Sequence, residues 1–300
     1  MIILQMSGGL GNQMFQYALY LKLKSLGKEV KFDDVETYLL DNARPIQLNV
    51  FRINYPRATR EEIIEMTDGS LALKDRIRRK LTGRKTKEYR EDGFRFDPKV
   101  LEVDPAYLVG VFQSERYFKD IEQQVREAFR MDTSLLTPAT LELQQEIDSV
   151  NAVCLHVRRG DYLATPEVYG EICTDAYYDG AIEMIKQKYP DAVFYLFTND
   201  QPWANFFMNA RKDTNIRLVK GNTEYTGFLD LYLMQHCKHF IIANSSFSWW
   251  GSWLCEDPNK TVIAPARWFQ DRECPDIYTD DMIIVNEAGH RVRKVEQLRL

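Results

Sequence analysis

Residues 152–162 read AVCLHVRRGDY. Ala152–Leu155 is an unbroken apolar run, the pattern of a strand covered on both faces. Within a few residues it gives way to two arginines and an aspartate, a dense charge to set at the rim of a core. The same design returns twice. AVFYLF (192–197) leads into TNDQPW, and HFIIA (239–243) leads into NSSFSWWGSWL. Apolar strand, polar loop and helix in repetition predict an α/β fold with a parallel sheet. Ligands of such sheets bind beyond the carboxyl ends of the strands, so the three polar loops are expected to converge on one crevice.

The N-terminal half opens in the same style. MIILQM is a short apolar strand, SGGLGNQ a glycine turn, and Met14, Tyr17, Ala18, Leu21 and Leu26 recur near helical spacing up to Gly27. EVKFDD (29–34) then reads as a second strand, completing a βαβ unit. With Asp33 about twenty residues on, the turn imitates a dinucleotide fingerprint. Met14, however, occupies the position where the third glycine is needed, and a nicotinamide-dependent oxidoreductase is a distant alternative. AYLVGVFQSERYF (106–118) is strand then loop, and TPATLELQQEIDSV (137–150) a capped helix. A boundary near Ser149 separates lobes 1–149 and 150–300, the last segment being expected to pack back on the first lobe. A charged insertion at about 57–95 holds nine Lys/Arg between Lys74 and Arg90 against Asp75 and Glu88. It reads either as a solvated helix with a loop at LTGRKT, or as a basic patch resting on anionic lipid headgroups.

Composition excludes several classes. A net charge of −5 and a pI of about 5.6 disfavour nucleic acid as a partner. Five scattered cysteines without C-x-x-C spacing predict reduced thiols, neither a disulfide framework nor a zinc site. With no signal-peptide pattern and no apolar span of about 18 residues, the expected location is the cytoplasm, peripheral at the inner face of the membrane if the basic patch docks. D-x-D, HExxH and G-x-S-x-G are all absent. If a diphosphate leaves here, arginine and helix N-termini must stabilise its charge.

Arginine offers a planar fork that matches phosphate oxygens two at a time. In extended chain His156 and Arg158 fall on one side, Arg159 and Asp161 on the other, so one arginine can reach a ligand while a carboxylate holds the other. A purely structural ion-pair cluster is the plainer reading. Asn244–Ser248 (NSSFS) places small hydroxyl residues and backbone amides where a helix begins, which suits an anion or ordinary N-capping. The three tryptophans that follow read as core packing. Asp230, set among Phe228, Leu229, Leu231, Leu233 and Met234, needs donors in so apolar a helix. It either caps a neighbouring backbone or accepts from a ligand such as a guanine edge.

HVRRGDY (156–162), FTND (197–200), DLYLMQHCKHFIIANSSFSWWGSWL (230–254), GGLGNQMFQYA (8–18) and VFQSERYF (111–118) together resemble the bacterial α-1,2-fucosyltransferases of glycosyltransferase family 11, from Gly8 to about Phe269. The resemblance implies a GT-B architecture, two Rossmann-like lobes with a nucleotide-sugar cleft between them. It implies metal-independent, inverting transfer of L-fucose from GDP-β-L-fucose to the 2-hydroxyl of a galactose, in an oligosaccharide or lipid-linked glycan of a surface polysaccharide or O-antigen. No cofactor is implied. Arg158 would hold the diphosphate and Arg159 support the loop or reach the donor. His156 and Asp230 would contact the guanosine side, and Ser245, Ser246, Phe247 and Ser248 would close over the phosphates. Asn199 and Asp200 replace an acidic pair of α-1,6 relatives, with a ribose or structural role, while Gly11 and Asn12 would approach the fucose. Asp161 is the first candidate for the general base and Glu167 the second. The alternatives are a GT-B enzyme with another donor or linkage and a non-enzymatic carbohydrate-binding protein.

Overall fold

The computed structural model describes residues 1–35, 45–223 and 225–292, with the backbone alone at Asp161. The chain divides into two compact units, Met1–Arg130 and Met131–Leu300. The first holds a parallel sheet of β1 (Ile2–Gln5), β2 (Val30–Asp33), β3 (Glu88–Arg90) and β4 (Ala106–Val109) in the order β2-β1-β4-β3. The helix Leu10–Ser25 follows β1 and is buried almost all round from Leu10 to Leu23, as a helix without a continuous polar face must be. Its start has no side-chain cap. Two fully buried glutamines hold the glycine turn instead. Gln13 Nε2 donates to the Gly8 carbonyl at 2.9 Å, while Gln16 Oε1 accepts from Ser7 N–H and its Nε2 reaches the Gly110 carbonyl at 2.8 Å. Met14 is fully buried, so the turn's third-glycine position is filled by core.

The region 57–95 is more than an insertion. A capping box at Thr59 and Glu62 starts the helix Arg60–Thr67, the exposed helix Leu73–Thr82 follows, and the chain then returns as β3 on the edge of the sheet beside β4.

The second unit is a six-stranded parallel sheet: β5 (Ala152–Val157), β6 (Val193–Thr198), β7 (Ile216–Leu218), β8 (His239–Ile241), β9 (Thr261–Pro265) and β10 (Met282–Val285). Their order is β10-β9-β8-β5-β6-β7. The chain winds outward one way from β5 through β6 and β7, then returns to lay β8 on the other side of β5 and continues to β10. This is the doubly wound topology, and its switch point lies between β5 and β8. Side chains alternate along β5. Val153, Leu155 and Val157 pack on Tyr177, Tyr178, Ala181, Ile182 and Ile185 of the helix Asp175–Lys188. On the opposite face the Cys154 thiol is pushed well up, first by burial and then by Cys237, with Asp230 and Cys255 adding smaller effects. The helices Phe228–Gln235 and Ser246–Leu254 pack together there, Gly251 lying so close to Met234 that a Cβ would stand 2.9 Å from its side chain.

The unit boundary falls between Arg130 and Met131, earlier than the expected point near Ser149. The helix Pro138–Asp148 belongs to the second unit because its polar residues are bonded there. Gln144 accepts from Tyr232 Oη at 2.7 Å, Glu146 from Tyr195 Oη at 2.9 Å, and Asp148 lies 3.1 Å from His236. At the other end β10 joins the second sheet, and Val292 N–H bonds Ile284. Of the last segment, expected to pack on the first lobe, 293–300 lie outside the described residues.

Gly180 faces the turn after β10, where a Cβ would sit on the Gly289 carbonyl oxygen. Replacing a helical glycine by alanine ordinarily stabilises by about 1 kcal/mol. Gly180→Ala is expected instead to destabilise by about 1–3 kcal/mol through overpacking, measured as a lower urea midpoint.

Candidate functional site

All three polar loops emerge at the carboxyl edge of the second sheet. The in-register pairs Val157↔Thr198 and Leu155↔Ile241 put the ends of β5, β6 and β8 side by side, and hydrogen bonds then lock the loops. Arg159 N–H donates to Asn199 Oδ1 at 2.9 Å. The Asn199 amide lies against Gly160 where any Cβ would collide with it, which accounts for the glycine in RRGD. From the far side Tyr162 Oη donates to the Asn244 carbonyl at 2.8 Å, spanning the switch point from the β5 loop to the β8 loop. Asn244 Nδ2 in turn donates to the Trp268 carbonyl beyond β9.

The two arginines have different surroundings. Arg159 is held: its Nε lies 3.2 Å from Asp200 Oδ2, and its guanidinium sits 4.3 Å from the centroid of Trp203. A carboxylate that holds the second arginine is thus Asp200, forty-one residues away, while the side chain of Asp161, the carboxylate nearest in sequence, lies outside the described residues. Asp200 Oδ1 also accepts from Trp203 N–H, capping the helix Gln201–Asn209. Arg158, next to the strand end, carries its guanidinium 5.8 Å from the ring of Tyr162, which is itself stacked on Tyr169 at 4.2 Å.

His156 is buried at the end of β5, its Nδ1 without a hydrogen-bond partner among the described residues, and its ring lies 6.2 Å from Phe247. Burial, then the neighbouring Arg158 charge, pulls its pKa down to about 3, so the ring is neutral at physiological pH. Phe247 belongs to the first turn of the helix Ser246–Leu254, whose N-cap Ser245 makes no side-chain capping bond. Ser248 Oγ turns inward to the Ser245 carbonyl at 3.3 Å. The tryptophans are core: Trp249 and Trp250 are fully buried, and Trp249 Nε1 donates to the Ile277 carbonyl at 2.6 Å.

Asp230, in the first turn of the helix Phe228–Gln235, accepts from Asn222 Nδ2. Burial raises its carboxyl to about 6, with the Asn222 bond lowering it in part. Glu167 is exposed on the short helix Pro166–Tyr169, and the Asp161 side chain lies outside the described residues. Gly11 and Asn12 lie in the first unit, where Asn12 Oδ1 accepts from Gln113 Nε2 at 2.9 Å. Among the described residues no group of three or more His, Cys, Asp or Glu is placed to hold a metal ion, and no helix is long and apolar enough to cross a membrane. Sequence reasoning gave Tyr162, Trp203 and Asn222 no role, and read Asn244 only as part of a helix-start segment. Tyr162 closes the arginine motif itself, but its partner lies eighty-two residues on.

Two parallel Rossmann-like sheets, the second doubly wound with charge gathered at its switch point, place the molecule in the α/β class expected of a GT-B protein. Residues 1–283 match the model of Glycosyl transferase family 11, and the chain belongs to that family. It is accordingly a glycosyltransferase. It is 31% identical over 287 residues to an alpha-1,2-colitosyltransferase of Escherichia coli, covering 91% of this chain and 93% of that protein. It is 32% identical over 290 residues to the O-antigen biosynthesis glycosyltransferase WbnK of Escherichia coli, covering 88% and 93%. With galactoside alpha-(1,2)-fucosyltransferase 1 of Plecturocebus brunneus it shares 26% identity over 256 residues, 82% of this chain and 63% of that one.

Tyr162→Phe removes the hydroxyl that joins the β5 and β8 loops and keeps the stacked ring. It is expected to cost about 1 kcal/mol in chemical denaturation; unchanged stability would show that this hydroxyl does not fasten the two loops.

Proposed function

We propose that the protein transfers L-fucose from GDP-β-L-fucose, with inversion and without a metal, to the 2-hydroxyl of a galactose in an oligosaccharide or lipid-linked glycan of an O-antigen or other surface polysaccharide. The observation that carries this reading is the gathering of Arg158, His156 and the N-terminus of the helix Ser246–Leu254 at the β5/β8 switch point. Asp230 belongs to the helix pair covering the same face of β5. A diphosphate at the strand ends would meet Arg158 and the amides of Ser246–Ser248. Those groups would bind the departing GDP more strongly as charge develops on it in an oxocarbenium-like transition state. Arg159, clamped by Asp200 and Trp203, shapes the loop that presents Arg158. His156 and Asp230 face the guanosine side, Asp230 accepting from the donor edge of the base. Asp161 is the first candidate for the base that takes the acceptor hydroxyl's proton, with Glu167 the second.

Arg158→Ala is expected to lower kcat on the order of 100- to 1,000-fold, measured as fucosylated product and released GDP, and the parent activity should persist in EDTA. No product with any of several galactosides would overturn the assignment, as would full activity of Arg158→Ala.

The 31% identity to a colitosyltransferase gives a second reading in which the donor sugar differs. Colitose is L-fucose without its 3-hydroxyl. A site that hydrogen-bonds this hydroxyl rejects the analogue lacking it by a factor on the order of 10⁴, whereas an apolar surface discriminates weakly. The ratio of kcat/KM for GDP-fucose and GDP-colitose therefore decides between the donors.

Asp230 also gives the site a pH signature. With its carboxyl raised to about 6, a proton competes with the N–H groups of guanine below that pH, and GDP affinity falls as pH drops. Between pH 7.5 and 5 the loss is expected to be about tenfold. His156 stays neutral over this range and contributes nothing. Calorimetry across the range should show a flatter dependence for Asp230→Asn.

A further inference from the structure

The helix Leu73–Thr82 has two faces of opposite character. One is fixed to the body of the first unit. Arg78 pairs with Asp68, Arg79 Nη1 donates to the Asp68 carbonyl at 3.0 Å and its Nη2 to the Ser70 carbonyl at 2.6 Å, and Ser70 Oγ donates to Asp75. Lys85 N–H adds a bond to Asp68 Oδ2 at 2.9 Å. At 100° per residue Asp75, Arg78 and Arg79 share that side, and all three are half-buried.

The other face carries Leu73, Ile77 and Leu81 at successive i, i+4 positions, continued by Leu71 ahead of the helix. They are 70%, 51%, 78% and 80% exposed, respectively. A solvated structural helix has no use for four apolar side chains in a row on its outer face. Lys74 flanks the stripe on one side and Arg76 and Lys80 on the other, all exposed, with Arg84, Lys85 and Lys87 exposed in the loop beyond. An apolar stripe bordered by cations matches a helix lying in the plane of an anionic bilayer, its leucines among the acyl chains and its cations at the headgroups.

We propose that this helix is a membrane-docking element that inserts Leu71, Leu73, Ile77 and Leu81 into the interface of an anionic lipid bilayer. Arg78 and Arg79 hold the helix to the protein and take no part in lipid contact. Charge complementarity selects anionic lipid, and the apolar stripe supplies the binding that salt does not screen. This goes beyond a basic patch, which would bind through charge alone. It stands apart from the donor and acceptor assignment.

The test is flotation of the full chain with vesicles containing anionic phosphatidylglycerol, and with vesicles of phosphatidylcholine alone, at low and high salt. Transfer to a soluble oligosaccharide is measured in parallel as a control for folding. The parent should bind the anionic vesicles and bind phosphatidylcholine far less. Leu73→Ser/Ile77→Ser/Leu81→Ser should lose at least about tenfold in vesicle affinity at low salt while keeping soluble-acceptor activity. Lys74→Ser, Arg76→Ser and Lys80→Ser should each cost about fivefold and flatten the salt dependence.

Failure of the parent to bind anionic vesicles overturns the proposal, as does a serine-stripe variant that binds as the parent does. A parent that sediments as a dimer, splits when the stripe is replaced and ignores vesicles would assign the face to a second copy of the chain. Loss of soluble transfer in the parent would count against the proposed reaction and leave the docking result readable.

Discussion

The parallel pairing of β8 with β5, Val153↔His239 through Leu155↔Ile241, is the constraint on which the second unit depends. After β7 the chain has built outward from one side of β5, and the other side is an open row of backbone donors and acceptors. Closing that row requires a return across the sheet, and the helix Phe228–Gln235 makes it. The return reverses the winding and leaves a crevice where two loops diverge. Several unusual residues follow from this one contact. Gly251 lets two helices approach behind the switch point, the tryptophans of the second helix are buried, with Trp249 donating to the Ile277 carbonyl, and Asn244 uses its amide to reach the Trp268 carbonyl. Weakening the β5–β8 pair would disturb each of these before it touched the outer strands.

Around the crevice the loops are fastened chiefly by side chain to backbone bonds. Asn199 fixes Arg159 N–H, and Tyr162 fixes the Asn244 carbonyl. Such fastening orients the polar groups before any ligand arrives, so little reorganisation is left for the moment of reaction. It also separates the duties of two adjacent arginines. One is placed against a carboxylate and an indole, and its neighbour is carried at the end of a strand whose own position is set by the sheet. A lysine in either place would give up the planar contact that makes the division work.

The fold was legible where strands are long and buried on both faces. The runs AVCLHV and AVFYLF announce β5 and β6 because strands at the centre of a doubly wound sheet are buried on both faces and almost wholly apolar. The edges were not legible: β3 is Glu-Tyr-Arg and β7 Ile-Arg-Leu, each three residues long with one side in water. β9 (TVIAP) and β10 (MIIV) were not singled out, being short runs outside the three strand–loop–helix repeats. The lobe boundary was misplaced because the polar face of the helix Pro138–Asp148 bonds to residues between Tyr195 and His236, which local reading cannot see. The candidate site was legible in the residues that end strands. What could not be read was pairing: which carboxylate serves Arg159, what Tyr162 touches, and which side chain meets Asp230 are facts of tertiary distance. In the charged insertion the nine cations were plain, while the exposed leucines among them gained meaning only when Arg78 and Arg79 turned out to face inward.

One further consequence follows from Asp200. Its Oδ1 caps the helix that carries Trp203, its Oδ2 holds Arg159, and the indole of Trp203 lies against that same guanidinium. The three residues form a closed ring of dependence in which each contact presupposes the other two. Their contributions are therefore not separable: removing any one releases most of what all three supply, and the second and third substitutions cost little more. Double-mutant cycles within the ring should give large interaction energies. Substitution across the family should exchange the three as a set, so that covariation among them records a thermodynamic cycle instead of three independent preferences.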